Sequence, residues 1–273
     1  MDYLDTLFNL KDKVAVITGG AGTLAGRMAE GLLKSGAKVI LLDIQKESLE
    51  ARVMTLSELG TAKGMLCNVL DRSKLEIVRE EIISEFGEID ILINAAGGNM
   101  PGATIAPDQT IFDMNMDDFN KVTDLNLNGS VLPSLIFGKA MAEQGSGSII
   151  NMSSMAVDSV ITRVVGYSAS KAAITNFTRW MAVEMAKKFG DGIRVNALAP
   201  GFFIGEQNRH LLVNDNGSMT DRGHDIIRNT PMNRFGNADE LIGATLFLCS
   251  DASKFVTGAV LPVDGGFSVF SGV

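Results

Sequence analysis

The sequence predicts an α/β fold with a doubly wound parallel sheet, and three observations support this. Short apolar runs alternate with longer amphipathic segments along the chain, as expected when a helix follows each strand. The runs at 13–18 and 38–43 are mostly apolar, which is typical of central parallel strands buried on both faces. A chain of 273 residues, 46% of them hydrophobic, can bury the core of one such domain. Right-handed crossovers then place helices on both faces of the sheet.

Composition narrows the classes of partner. The formal net charge is −8 and no run rich in Lys or Arg is present, so we expect no nucleic acid to bind through its phosphates. The two cysteines, Cys67 and Cys249, are too few for a zinc site or a disulfide framework, which favours reduced thiols and no metal. Residues 1–13 lack the pattern of a signal peptide, and no apolar run reaches the roughly 18 residues that span a membrane. We therefore expect a soluble, cytoplasmic protein whose ligands are small molecules.

The first predicted strand, 13–18, leads into a glycine-rich turn with the sequence GGAGTLAG. Apolar residues then recur at helical spacing from Met28 to Leu33, and Gly36 ends the predicted helix. A strand, a glycine turn and a helix N-terminus together form an anion site, because free backbone N–H groups and the helix dipole both face the anion. The turn therefore predicts a nucleotide phosphate site. Thr23 must turn its side chain away from the phosphate or donate its hydroxyl to an oxygen.

Asp43 ends the second predicted strand, twenty-four residues after Gly19. A carboxylate at this place accepts hydrogen bonds from both ribose hydroxyls of an adenosine and repels a 2′-phosphate, so it favours NAD over NADP. Two alternatives stay open. Asp43 could instead cap the helix that begins at 45–47, and Lys46 is a cation that could reach a 2′-phosphate.

The stretch YSASK places a phenol and an ammonium one helical turn apart, since Tyr167 and Lys171 share a helix face. A lysine cation at this distance favours the phenolate and brings the pKa of the tyrosine toward the range of a general acid or base. Ser154 lies thirteen residues before Tyr167, after a predicted buried strand at 148–153, and Asn126 lies twenty-eight residues before Ser154. The structural alternative is a half-buried tyrosine and a solvated lysine on an amphipathic helix.

Five features in this order resemble the short-chain dehydrogenase/reductase family over essentially the whole chain: TGG at 18–20, NAAG at 94–97, Asn126, Ser154 and YSASK. The resemblance implies one Rossmann-type domain, 1–273, with seven parallel strands in the order 3-2-1-4-5-6-7. Residues 13–97 are expected to form most of the dinucleotide-binding half, and residues 202–235 a lid over the substrate. The long helices that carry Asn126 and Tyr167 imply a homotetramer.

The resemblance also implies a role for each catalytic candidate. Tyr167 exchanges a proton with the substrate oxygen, and Ser154 forms a hydrogen bond with that oxygen. Lys171 lowers the tyrosine pKa and binds the nicotinamide ribose. Asn126 holds a water that links Lys171 to solvent.

The predicted cofactor contacts lie in the glycine turn, at the ends of the predicted strands and in the YSASK helix. They are Gly19, Gly22, Thr23, Leu24, Asp43, Asn68, Val69, Asn94, Ala95, Ala96, Gly97, Tyr167, Lys171, Pro200, Gly201 and Phe203. The chain departs from the family pattern at Thr23 and Ala25, where glycines are usual. It also departs at Asn68, where the family usually has aspartate, and at Gly205, where it commonly has threonine.

Five further stretches look like the D-mannonate oxidoreductases (fructuronate reductases) of hexuronate catabolism: NAAGGN, GSVLP, PGFFIGEQNRHLL, TPMNRFG and VDGGFSVFSGV. This resemblance implies NADH-dependent reduction of the C5 ketone of fructuronate to D-mannonate, and the reverse oxidation. Such a sugar acid carries a carboxylate, which an arginine binds through two parallel hydrogen bonds. The substrate-contact candidates are Asn99, Arg163, Gln207, Asn208 and Arg209, with Arg209 the first choice for the carboxylate and Arg163 the second. The alternatives are a related sugar or polyol enzyme such as a gluconate 5-dehydrogenase, and a 3-oxoacyl reductase acting on an acyl-carrier protein.

Overall fold

The computed structural model describes residues 3–205 and 208–272. Within them, seven parallel strands form one sheet in the order β3-β2-β1-β4-β5-β6-β7, which confirms the predicted order. The strands are β1 (Val14–Thr18), β2 (Lys38–Asp43), β3 (Ala62–Leu66), β4 (Ile91–Asn94), β5 (Gly147–Met152), β6 (Ile193–Pro200) and β7 (Val260–Val263). The helices are α1 (Tyr3–Leu7), α2 (Thr23–Lys34), α3 (Lys46–Ser57), α4 (Arg72–Phe86), α5 (Met116–Thr123), α6 (Gly129–Gln144), α7 (Val165–Phe189), α8 (Arg209–Leu212), α9 (Asp221–Arg228) and α10 (Glu240–Cys249).

Strand β1 shows how the apolar runs build two cores. Successive side chains of a strand point to opposite faces of the sheet. Ile17 packs with Met28 of α2 in the core on one face, whereas Val16 packs with Phe137 of α6 in the core on the other face. Each of these side chains is fully buried, and burial of one such side chain contributes about 1.5–3 kcal/mol. The sheet is therefore covered on both faces, as the sequence predicts for a single α/β domain.

The long helix that carries Asn126 contains a wider turn. Helix α5 runs into a π-helical turn at Asp124–Asn128, and α6 continues the helix to its end. Such turns are rare and occur frequently at functional sites. Asn126 lies inside this turn and is fully buried.

Three connections meet at the carboxyl edge of the sheet, because β4, β5 and β6 are parallel neighbours. They comprise residues 95–115, 153–164 and 201–239. The first two are joined where the Ile105 N–H donates to the Arg163 carbonyl at 3.0 Å. The third contains the predicted lid, and its ends are joined where Gly236 N–H donates to the Phe202 carbonyl at 2.9 Å. In the described part of the chain, no helix has the length and apolar character needed to cross a membrane.

Candidate active site

A cleft of about 880 Å³ opens at the carboxyl edge of the sheet. It runs from the glycine turn after β1, past the end of β2, to the start of α7. Most of the predicted site residues line it: Gly19, Gly22, Thr23, Leu24, Asp43, Asn68, Val69, Ala95, Ala96, Gly97, Ser154, Tyr167, Lys171, Pro200, Gly201, Phe203 and Asn208. The structure thus brings together segments that are up to about 190 residues apart in sequence.

The glycine turn has the geometry of a phosphate cradle. Gly19 has φ +64°, and a Cβ there would lie 2.8 Å from the Cα of Ala96, so only glycine fits this crossing of two backbones. Gly22 is the N-cap residue of α2, and glycine has no side chain that could accept a hydrogen bond from the first turn of the helix. The N–H groups of the first helical turn can therefore bind an anion. Thr23 places its hydroxyl toward Gly205, where an added Cβ would lie 3.7 Å from Thr23 Oγ1.

The Asp43 carboxylate lines the cleft and also braces its wall. Its Oδ2 accepts from the Ala21 N–H at 3.1 Å, while its Oδ1 accepts from the N–H groups of Ile44 at 2.8 Å and Gln45 at 3.0 Å. Gln45, and not Asp43, is the N-cap residue of α3, so the capping alternative is wrong. Oδ1 already accepts two hydrogen bonds, so Oδ2 is the oxygen that keeps acceptor capacity for a ribose hydroxyl.

Two cations, Lys46 and Arg52, lie near this end of the cleft, but only Arg52 lines it. Lys46 is exposed, lies 3.9 Å from the Glu50 carboxylate and is not among the lining residues. Arg52 of α3 does line the cleft, and its Nη2 donates to the Ala21 carbonyl at 3.3 Å. A Cβ added at Gly26 would lie 2.7 Å from the Cζ of Arg52. Sequence reasoning missed Arg52, although Gly26 signals a close approach to α2.

Ser154, Tyr167 and Lys171 converge at the opposite end of the cleft. Ser154 follows β5, and its Oγ accepts from the Ala156 N–H at 3.1 Å. Its hydroxyl is also hydrogen-bonded to the Tyr167 phenol. Lys171 Nζ donates to the Met152 carbonyl at 2.7 Å and lies 5.4 Å from the centre of the Tyr167 ring. This cluster is not the half-buried tyrosine and solvated lysine of the structural alternative, because Lys171 is only 4% exposed.

The pKa of Tyr167 differs from the sequence prediction. Removal of water raises the pKa of Tyr167, and the hydrogen bond with Ser154 only partly opposes this shift. The prediction that the pKa of Tyr167 falls toward the neutral range is therefore wrong, since desolvation of the phenol is the larger effect. Burial likewise lowers the pKa of Lys171 to about 8, so the amine still carries its proton at pH 7.

Asn126 holds a loop beside this cluster. Its Nδ2 donates to the carbonyls of Gly98 at 2.7 Å and Val122 at 2.8 Å, and its Oδ1 accepts from the Gly98 N–H at 3.3 Å. A Cβ at Gly97 would lie 2.7 Å from Asn126 Oδ1 and 3.6 Å from Lys171 Nζ. Both N–H donors of the amide are used by the backbone, so the structure gives this side chain a positioning role. The water that it was expected to hold stays a prediction.

Asn94 is the one predicted cofactor contact that lies away from the cleft. It is fully buried, and its Nδ2 donates to Ser134 Oγ and to Asn151 Oδ1, both at 2.8 Å. The prediction of a cofactor contact is wrong for its side chain, because the last residue of β4 points into the interior beneath α6. The backbone after it is fixed by Thr18, whose Oγ1 accepts from the N–H groups of both alanines of NAAG at 3.1 Å.

Two asparagines among the substrate candidates brace their own loops. Asn208 lines the cleft, but its Oδ1 accepts from the Gly205 N–H at 2.8 Å and its Nδ2 donates to the Phe203 carbonyl at 2.9 Å. Asn99 is exposed, does not line the cleft and donates to Thr104 Oγ1 at 2.7 Å. Both amide atoms of Asn208 and Nδ2 of Asn99 therefore each form one hydrogen bond within the protein, which holds these side chains in their loops.

The remaining substrate candidates fall into three situations. Arg209 opens α8, is exposed and does not line the cleft. Arg163 also does not line the cleft; it is partly buried and has φ +77°, which is unusual for a residue with a side chain. Gln207 lies outside the described residues.

Comparisons with known proteins agree with this geometry. A family model described as enoyl-(acyl carrier protein) reductase matches residues 19–268. The chain is 46% identical to an uncharacterized oxidoreductase, UxuB, of Bacillus subtilis, over 97% of this chain and 98% of the relative. A crystal structure from Haemophilus influenzae, provisionally described as a D-mannonate oxidoreductase with bound NAD, is 44% identical, with a TM-score of 0.89 and coverage of 97% of this chain and 98% of its own. A gluconate 5-dehydrogenase from Burkholderia cenocepacia, in complex with NADP and tartrate, is 30% identical, with a TM-score of 0.87 and coverage of 97% and 99%.

These matches cover almost the whole of each chain and are not limited to a shared fragment. The predicted family and the predicted NAD(P)-dependent oxidoreductase activity are confirmed. The NAD in the structure that is 44% identical also agrees with the predicted cofactor. The chain belongs to the short-chain dehydrogenase/reductase family.

Proposed function

We propose that the protein is an NAD(H)-dependent oxidoreductase that interconverts fructuronate and D-mannonate. The observation that carries this proposal is the arrangement of the cleft, with the Asp43 carboxylate at one end and the cluster of Ser154, Tyr167 and Lys171 at the other. The choice of a sugar acid is supported by two relatives, the one described as a D-mannonate oxidoreductase and the gluconate 5-dehydrogenase that binds tartrate.

In this proposal Tyr167 is the proton donor of the reduction. When NADH is held in this cleft, its nicotinamide would supply the hydride to the carbonyl carbon. The Tyr167 phenol gives its proton to the carbonyl oxygen, and Ser154 holds that oxygen by a hydrogen bond. The raised pKa of Tyr167 keeps the phenol protonated at neutral pH, which suits a donor. General catalysis by such a positioned group contributes roughly 10²–10⁴-fold in rate.

Lys171 serves the reverse reaction. Oxidation of the alcohol needs the phenolate, and an ammonium beside the ring favours that form as the proton leaves. Lys171 Nζ donates to the Met152 carbonyl at 2.7 Å, and this hydrogen bond fixes the amine at the end of β5. The remaining donors of the ammonium can bind the hydroxyls of the nicotinamide ribose.

The proposed preference for NAD depends on Asp43. Its carboxylate would face the phosphate of NADP across the same space, and Lys46 is turned toward Glu50 outside the cleft. Arg52 stays at this end of the cleft but bonds to the Ala21 carbonyl and packs against Gly26. Repulsion by the carboxylate therefore outweighs attraction by a cation that is already engaged.

A panel of keto sugar acids and their reduced partners, each assayed with NADH or NAD and with NADPH or NADP, tests the proposal. Fructuronate reduction and D-mannonate oxidation should show the highest kcat/KM, with 5-ketogluconate lower. If 5-ketogluconate is the better substrate, the gluconate 5-dehydrogenase alternative replaces the proposal. If only uncharged polyols or acyl thioesters turn over, the sugar-acid assignment is wrong.

A further inference from the structure

Two arginines meet where the connections after β5 and β6 come together. Arg163 lies on the segment that joins Ser154 to Tyr167, and Arg222 lies in the first turn of α9 in the connection after β6. The Arg222 Nη1 atom donates to the hydroxyl of Thr162, the neighbour of Arg163, at 3.4 Å. This contact brings the two guanidinium-bearing residues side by side across sixty residues of sequence.

The backbone of Arg163 is held in an unusual conformation. Its φ of +77° lies in the left-handed region, which is unfavourable for a residue with a side chain. The Arg163 carbonyl accepts from the Ile105 N–H at 3.0 Å, so the connection after β4 holds this residue in place. Backbone strain of this kind clusters at ligand-binding and active sites.

The positive charge of Arg163 acts on the Arg222 guanidinium, so the two side chains lie near one another. Both residues are only partly exposed, and neither has an ion-pair partner in the described part of the chain. Burial and the positive charge of Arg163 both lower the pKa of Arg222. Asp225 acts in the opposite direction, but its carboxylate is bonded to Arg228. Two like charges in this position are unfavourable until an anion lies between them.

We propose that Arg163 and Arg222 together bind the carboxylate of the substrate. This inference depends on the proposed function, since it assigns the residues that recognise the sugar acid. The C1 carboxylate lies at the far end of the carbon chain from the reacting C5 ketone, so its partners need not line the cleft around Ser154 and Tyr167, and neither arginine does. A pair of guanidiniums offers the planar donors that match a carboxylate.

This assignment replaces the first choice made from the sequence. Arg209 opens a four-residue helix and is exposed. Arg222 was not a candidate, because nothing in the sequence brings the turn at 221–223 to residue 163. Arg163, the second choice, is retained.

The test compares three matched variants of the full-length enzyme with its cofactor: Arg163→Gln, Arg222→Gln and, as the control, Arg209→Gln. Each is assayed with fructuronate and with fructose, in which a CH₂OH group replaces the carboxylate. Loss of a charge-assisted hydrogen bond corresponds to about 10- to 100-fold in binding. We expect the ratio of kcat/KM for fructuronate over fructose to fall by that factor in the first two variants and to stay within about twofold of wild type in Arg209→Gln. Arg163→Lys and Arg222→Lys should recover part of the loss, which a purely structural role would not predict.

Two outcomes overturn the inference while fructuronate remains the substrate. One is a ratio of kcat/KM for fructuronate over fructose that stays within about twofold of wild type in both Arg163→Gln and Arg222→Gln. The other is a loss of that ratio in Arg209→Gln alone, which would return the carboxylate site to α8.

A third measurement separates failure of this inference from failure of the proposed function. If wild-type enzyme does not reduce fructuronate, the proposed function is wrong, and the NADH complex is then titrated with D-gluconate and with tartrate. Binding of either acid by wild type that weakens at least tenfold in Arg163→Gln and Arg222→Gln supports the arginine pair. Equal binding in all variants, or no binding of either acid by wild type, contradicts it.

Discussion

Lys171 Nζ lies 5.4 Å from the centre of the Tyr167 ring, inside the protein. This distance is compatible with a cation–π contact and with electrostatic support of a phenolate. Burial nevertheless acts on the two groups in opposite directions, because it raises the pKa of the phenol and lowers that of the amine to about 8. Each group is thereby moved toward its neutral form.

The lowered pKa of Lys171 predicts how stability changes with pH. The folded protein loses this proton near pH 8, whereas the unfolded chain keeps it to about pH 10.5. Between these values the unfolded state binds more protons, so wild type should gain stability as the pH rises. Relative to Lys171→Met, we expect a gain on the order of 2 kcal/mol from pH 7 to 9.5.

Urea denaturation at several pH values measures this difference. The control is Lys139→Met, which removes an exposed lysine of α6 and should leave the pH profile unchanged. A constant difference between wild type and Lys171→Met would show that the buried amine keeps its ordinary pKa.

The close crossing of the Gly19 and Ala96 backbones predicts that Gly19→Ala lowers the stability of the fold. Gly145→Ala is the control, because it introduces the backbone strain without the collision. Gly145 has φ +78°, similar to the +64° of Gly19, but an added Cβ would meet nothing within 4 Å. Gly145→Ala should cost only the strain, about 1–2 kcal/mol. Gly19→Ala should cost more and should weaken NADH binding, because its Cβ collides with the cradle. Equal losses of stability and unchanged cofactor affinity in both variants would contradict the close crossing.

The position of Asp43 predicts the cofactor preference. Asp43→Asn keeps the size of the side chain but removes the charge that repels a 2′-phosphate, so the ratio of kcat/KM for NADH over NADPH should fall at least tenfold. Lys46→Gln is the matched control and should leave the ratio within about twofold, because Lys46 lies outside the cleft. A wild-type preference for NADPH would overturn the account of Asp43 and revive the acyl-carrier reductase alternative.

The outer faces of α6 and α7 predict a homotetramer. Leu135, Trp180 and Val183 are 51%, 64% and 58% exposed, a large apolar surface for the outer faces of two helices. Light scattering should give about four times the chain mass of 29.1 kDa, and Trp180→Glu should reduce it. A wild-type mass near that of one chain would rule the tetramer out.

Local patterns predicted the fold closely, because each strand and helix end has its own signal. The apolar runs of the first two strands and Gly36 after α2 follow from short-range chemistry. The cleft was predictable for the same reason, since glycine turns and strand ends determine which residues line it.

Other parts of the site depend on contacts that no local pattern carries. The side chain of Asn94 bonds to Ser134 and Asn151, forty and fifty-seven residues away. Arg222 reaches Thr162 from a separate connection. The pKa of Tyr167 is set by how much water the folded protein removes, which YSASK alone does not reveal.

The central claim is that Tyr167 transfers the proton in NADH-dependent reduction of fructuronate, and the Tyr167→Phe variant tests it most directly. This substitution removes one hydroxyl and keeps the ring. The account predicts that kcat for fructuronate falls by roughly 10²–10⁴-fold, while the affinity for NADH, measured by fluorescence titration, stays within about twofold of wild type. A variant that binds NADH normally and keeps more than about 5% of the wild-type kcat would contradict the account.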